Sequence, residues 1–165
     1  MKPENKMLDH IVRCAKECMT ETGHHVPQVM FEHGMTTAPD GKEVCALGIM
    51  LCPFENDKEK EKILMAIKVL VKKTGCKRYW HISEAWMAKA DPKKNPMPYI
   101  RPSRCVNREE CIIICEFNSD MNATMIILPF TRVGKRINAD GKEMDKFHFK
   151  PKRVITRMEE GEEDE

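Results

Sequence analysis

Cys111-Ile112-Ile113-Ile114-Cys115-Glu116-Phe117 and Thr124-Met125-Ile126-Ile127-Leu128-Pro129-Phe130-Thr131 are two apolar runs separated only by Asn118-Ser119-Asp120-Met121-Asn122. Short apolar runs bounded by polar turn formers read as paired strands, and a linker of this length suits a hairpin. Downstream, Ala139-Asp140-Gly141-Lys142 has turn chemistry and predicts a last hairpin closing with Phe147 to Phe149. Upstream, Ala38-Pro39-Asp40-Gly41-Lys42 has the same chemistry, with proline presetting φ and glycine supplying φ > 0. It joins a strand over Val26 to His33 to one over Glu43 to Leu51, a hairpin with a long tip, and Pro27 marks the first strand's start or a sheet edge. Lys77 to Met87 is one more strand, and beyond the two similar turns no internal repeat is visible.

Two stretches carry helical periodicity instead. Met7, Leu8, Ile11, Ala15, Cys18 and Met19 recur at three- and four-residue steps over residues 5–21, before Gly23. Asn56 or Asp57 caps a second helix running to about Thr74, with Ile63, Leu64, Ile67, Leu70 and Val71 on one side and five lysines on the other. The resulting order, α-β-β-α-β-β-β, predicts an α+β fold. It has a mainly antiparallel sheet of about five to six strands and both helices packed on one face.

Composition bounds the rest. A chain of 165 residues with 41% hydrophobic and 33% charged residues is expected to build one domain over residues 1–156. Residues 157–165 hold one arginine and six acidic groups, a balance of −5, and predict a disordered acidic tail, which leaves +7 on the remainder. The opening Met1-Lys2-Pro3-Glu4-Asn5-Lys6 lacks an apolar signal region and no apolar run is long enough for a bilayer. A cytoplasmic location is expected, with the eight cysteines as reduced thiols.

The clearest candidate for chemistry lies in Tyr79-Trp80-His81-Ile82-Ser83-Glu84-Ala85-Trp86-Met87. Strand alternation puts Trp80, Ile82, Glu84 and Trp86 on one face, so a carboxylate sits among indoles. Such a group is costly unless it is paired with a cation or protonated. Glu84 is then a general base or ligand anchor, or else one half of a structural ion pair or a group on a more exposed face. Arg101, Arg104 and Arg108 follow in the connection to the next strand; Arg108 or Arg104 could fork onto Glu84, and these arginines could instead bind a phosphate or carboxylate ligand or stay solvated. Between these elements, residues 89–108 form a loop with Pro92, Pro96, Pro98 and Pro102, a length associated with function or motion.

Ser83-Glu84-Ala85-Trp86-Met87, a proline-rich loop, Pro102-Ser103 and Asn107-Arg108-Glu109-Glu110 before an apolar strand together resemble a family of small uncharacterised microbial or phage proteins. The resemblance covers roughly residues 79–130. It implies one domain and carries no activity.

Other groups invite blander readings. His10, Cys14 and Cys18 share a helix face and Cys111 and Cys115 a strand face, but no C-x-x-C occurs, so core packing is expected and no metal or cofactor is assigned. His24-His25 sits just past a helix end. Phosphate-loop, H-E-x-x-H, G-x-S-x-G and dinucleotide motifs are absent. From Lys89 to Arg157 there are fifteen basic against eight acidic residues, with Tyr99, Phe130, Phe147 and Phe149 interleaved. That pattern suits base stacking beside phosphate-binding cations, or a solubilising face.

Two functional classes follow. One is a binding or interaction module taking nucleic acid, a protein or another anionic partner through the basic C-terminal half, with room for a homo-oligomer and no membrane contact. The other is a small enzyme on an anionic substrate, with Glu84 as acid/base and Arg104 or Arg108 as anion clamp. The first is preferred because no complete catalytic constellation is visible.

Overall fold

The computed structural model describes residues 3–88, 93, 104–118 and 123–156. In chain order these form α1 (Pro3–Thr22), β1 (Gln28–Thr37), β2 (Glu43–Leu51), α2 (Asp57–Thr74), β3 (Arg78–Met87), β4 (Glu109–Asn118), β5 (Ala123–Ile137), β6 (Glu143–Phe149) and β7 (Arg153–Thr156). The sheet has seven strands in the order β2-β1-β3-β4-β5-β6, with β7 pairing β5. The ladders β1–β2, β1–β3 and β5–β6 are antiparallel. The α+β class with two helices and an antiparallel sheet therefore holds, with more strands than expected. No helix among the described residues is long and apolar enough to cross a membrane. The acidic tail at 157–165, Arg101 and most of the proline-rich connection lie outside the described residues.

The chain divides into two compact units. One comprises Val26–Ile82, Ile114–Met125 and Val154–Glu165. Its helix α2 starts where the Asn56 side chain accepts the Glu59 N–H at 3.0 Å, satisfying one orphan donor of the first turn. It stops at Gly75, whose φ of 62° is the left-handed conformation that an L side chain resists, and whose N–H reaches Val71 O at 3.0 Å. Acidic residues in its first turn and lysines in its last complement the helix dipole. Ile67 is buried and, with Ile63, Leu70 and Val71, packs on Val29 and Phe31 of β1, Met50 of β2 and Tyr79 of β3. Tyr79 also stacks on Phe117 with centroids 4.9 Å apart.

The other unit comprises Met1–His25, Ser83–Ile113 and Ile126–Arg153. Helix α1 buries Ile11, Ala15 and Met19, the stripe seen in the sequence, and lies against β6. In β5, Ile126 to Phe130 are all buried, so both faces of the strand are covered there; Thr131 to Lys135 and Ile137 are then exposed, with Arg136 half-buried.

Each unit contains one bulged hairpin of the same make. The β1–β2 register shifts between Glu32 and Gly34, and the β5–β6 register between Arg132 and Lys135. Gly34 and Gly134 stand at these irregularities with φ of 96° and 129°, outside the range that other residues adopt readily. The five-residue turns are closed alike, by Ala38 N to Lys42 O at 2.8 Å and Asn138 N to Lys142 O at 2.9 Å. The sequence placed the first turn correctly but ended the first strand at His33. In the structure the ladder continues to Thr37 opposite Glu43, which makes the tip short.

Ile67 is the buried anchor of α2, so Ile67→Ala is expected to destabilise the protein by about 2–5 kcal/mol in urea denaturation, the usual range for a core isoleucine truncated to a cavity.

Candidate functional site

Strand β3 places the residues singled out above. Trp80 and Ile82 are fully buried, Glu84 is half-buried, and Trp86 is 41% exposed. Glu84 finds its donor in the main chain: Oε1 accepts the His25 N–H at 2.5 Å, and His24 Nδ1 stands 3.7 Å away. The carboxylate thereby holds the chain just after α1, where Gly23 (φ 80°) ends the helix and His25 is buried. This answers the demand raised by an acid on an apolar strand face with a fixed backbone donor.

Trp86 and Arg108 are brought together. The Arg108 guanidinium lies over the indole, 5.1 Å from the ring centroid, a cation–π arrangement that fixes one face of the ring. Arg104 is exposed in the segment leading into β4, and Arg101 lies outside the described residues.

Trp86 and Arg108 form one side of an open cleft of about 470 Å³, whose other walls are Asn107, Glu109 and Glu110 at the start of β4, Phe130, Thr131 and Arg132 of β5, and Lys150. Glu84 is not among its lining residues. Opposite Trp86 an aromatic and ionic cluster is built by the β5–β6 register, which sets Phe130 against Phe149 and Arg132 against Phe147. Phe130 meets Phe147 edge to face at 5.5 Å, and the Arg132 guanidinium lies 5.2 Å from the Phe147 ring. The same guanidinium forks onto Glu110 at 3.1 and 3.2 Å and reaches Asp145 Oδ2 at 2.5 Å. Lys135 and Arg132 hold the Asp145 carboxyl below the usual carboxylate range, and Glu110 and Asp145 push the Arg132 pKa up. Lys150 pairs with Glu109 at 2.5 Å. The cleft thus combines aromatic rings with cations that are mostly held by acids.

The sequence named Phe130, Phe147 and Phe149 as interleaved aromatics but missed Arg132, Glu110, Asp145 and Lys150 as their companions. The signal was available in principle. Counting back from the Asn138–Lys142 turn, with one residue of slip for the bulge at Gly134, puts Arg132 opposite Phe147.

The seven cysteines whose side chains are described are free thiols. Cys111 is fully buried and desolvation pushes its thiol up to about 11, while burial also raises Cys115, as expected for packing residues. His10 Nε2 lies 3.6 Å from Cys14 Sγ. No group of three or more metal-ligating side chains gathers among the described residues.

No family model, curated protein or solved structure matches the chain.

Because Glu84 satisfies a buried main-chain donor, Glu84→Ala is expected to cost about 1–3 kcal/mol, whereas Glu84→Gln, whose carbonyl can accept the same N–H, costs under about 1 kcal/mol. Paired denaturation curves check this. Equal losses for both variants would mean that the charge, not the acceptor, is what matters.

Proposed function

We propose that the protein is a binding module for single-stranded nucleic acid, taken across the Trp86 cleft. The observation that carries this reading is the half-exposed indole held by Arg108 beside Phe130, Arg132 and Lys150. Every base presents a π-face, and a ring fixed on one side by a guanidinium keeps its other side for stacking. An open cleft suits a polymer that lies across a surface, whereas small-molecule sites usually enclose most of their ligand. The C-terminal half supplies the positive balance that a phosphate backbone requires.

The carboxylates temper the electrostatic share. Arg132 and Lys150 are engaged by Glu110, Asp145 and Glu109, so an incoming phosphate competes with fixed acids. Stacking then provides most of the affinity. The enzyme reading is weaker, since Glu84 is committed to the His25 N–H and, among the described residues, the cleft walls include no histidine, cysteine or serine. A cytoplasmic location goes with this proposal.

A labelled oligothymidylate or oligouridylate, followed by anisotropy at low salt, tests it. Binding is expected, with Trp86→Ala weakening it by about 1–3 kcal/mol, the usual worth of one stacked base. The salt slope should be shallow, near −1.4 for about two phosphates neutralised on a single strand. Removing residues 158–165 should strengthen binding by lifting an acidic competitor. Absence of binding at low salt, or an unaffected Trp86→Ala variant, overturns the proposal.

A further inference from the structure

We propose that the chain pairs with a second copy of itself along β2, extending the sheet through a two-fold axis. Among the described residues β2 makes a ladder with β1 alone and stands at the end of the strand order, so one row of its N–H and C=O groups points away from the sheet. Such an edge is a template for another strand, and proteins that stay monomeric blunt it with charges, lysine or proline. The strand at the other end of the order follows that rule: β6, Glu143-Met144-Asp145-Lys146-Phe147-His148-Phe149, carries Glu143, Asp145, Lys146 and His148. The two hairpins are otherwise alike, yet β2 has no charge after Glu43 and no proline in Val44-Cys45-Ala46-Leu47-Gly48-Ile49-Met50-Leu51.

Exposure agrees with this reading. Ile49 and Leu51 are 61% and 63% exposed, although they lie within an otherwise continuous apolar strand. Pairing with an identical antiparallel strand preserves the sheet faces only when residues of the same parity meet. Centred on Ile49, that register sets Ile49 against its own counterpart and Leu47 against Leu51 of the second copy. All three positions are apolar and stand on one face, the self-complementarity an isologous interface requires. Leu47-Gly48-Ile49-Met50-Leu51 reads alike in both directions on this face, and it is that palindrome of apolar side chains, which a foreign strand would not need, that fits a second copy. Strand-edge pairing alone lies at the small end of specific interfaces, below about 1,200 Å², so micromolar rather than nanomolar association is expected.

Light scattering on the full chain in reductant, with amide hydrogen exchange at two concentrations, tests the proposal. Wild type should be a dimer at high micromolar concentration, with protection of residues 43–51 rising with concentration. Ile49→Lys should be monomeric at the same concentration and keep the wild-type circular dichroism, since the side chain it replaces is exposed. Met65→Lys, which removes an equally exposed apolar group from α2, should still dimerise. A wild-type monomer throughout that range, a dimer indifferent to Ile49→Lys, or dimerisation without protection of β2 overturns it. These outcomes do not depend on nucleic-acid binding.

Discussion

Trp80 is the largest fully buried side chain among the described residues, and its indole N–H is a donor that the interior cannot leave without an acceptor. Glu116 on β4 provides one at 2.6 Å. Arg78 lies over the same ring at 4.9 Å and forks onto Glu32 of β1 at 2.9 and 3.4 Å. These partly buried ionised groups are tolerated because each has a hydrogen-bonded or charged counterpart. That arrangement also fixes which face of β3 turns inward. With Trp80 and Ile82 buried, Glu84 and Trp86 follow at two-residue steps, and a slip of one position would exchange them for Ser83 and Ala85.

The consequences divide along the strand. At Glu84 the demand for a partner is met by a backbone N–H, which makes the carboxylate a support for the chain after α1. At Trp86 the ring is left half open and steadied by Arg108. Surface ion pairs are individually worth about 1 kcal/mol or less, so the links from Arg132 to Glu110 and Asp145 matter less as stability than as orientation. They keep a guanidinium 5.2 Å from the Phe147 ring centroid and 5.9 Å from that of Phe130. The cleft is therefore ordered before anything enters it, and ordering in advance lowers the entropic cost of binding.

Much of the fold was legible in the sequence. Capping at Asn56, the stop at Gly75 and the apolar steps of α1 and α2 are local signals, and local signals determine helices well. The two Asp-Gly-Lys turns were equally plain. What escaped was strand extent. Thr36 and Thr37, and the stretch Thr131-Arg132-Val133-Gly134-Lys135-Arg136-Ile137, have exposed residues on both faces, so no alternation of burial marks them as strand. Their pairing comes from the partner across the turn, information that lies in register and not in composition. The site was half legible for the same reason. Trp86 and Arg108 stand out as residue types near one another in the chain, while the Arg132–Phe147 contact depends on a bulge that must be located before the pairing can be counted.

The two tryptophans allow a direct test of the claim that Trp86 is the contact residue, because Trp80 is fully buried and Trp86 is not. Nitrogen-15 NMR resolves their indole N–H signals, which single tryptophan-to-phenylalanine variants assign. On titration with an oligothymidylate the Trp86 indole signal should move progressively to saturation while that of Trp80, hydrogen-bonded to Glu116, stays in place. A Trp86 signal that does not shift under conditions where the oligonucleotide is bound, or joint movement of both signals, would contradict the account.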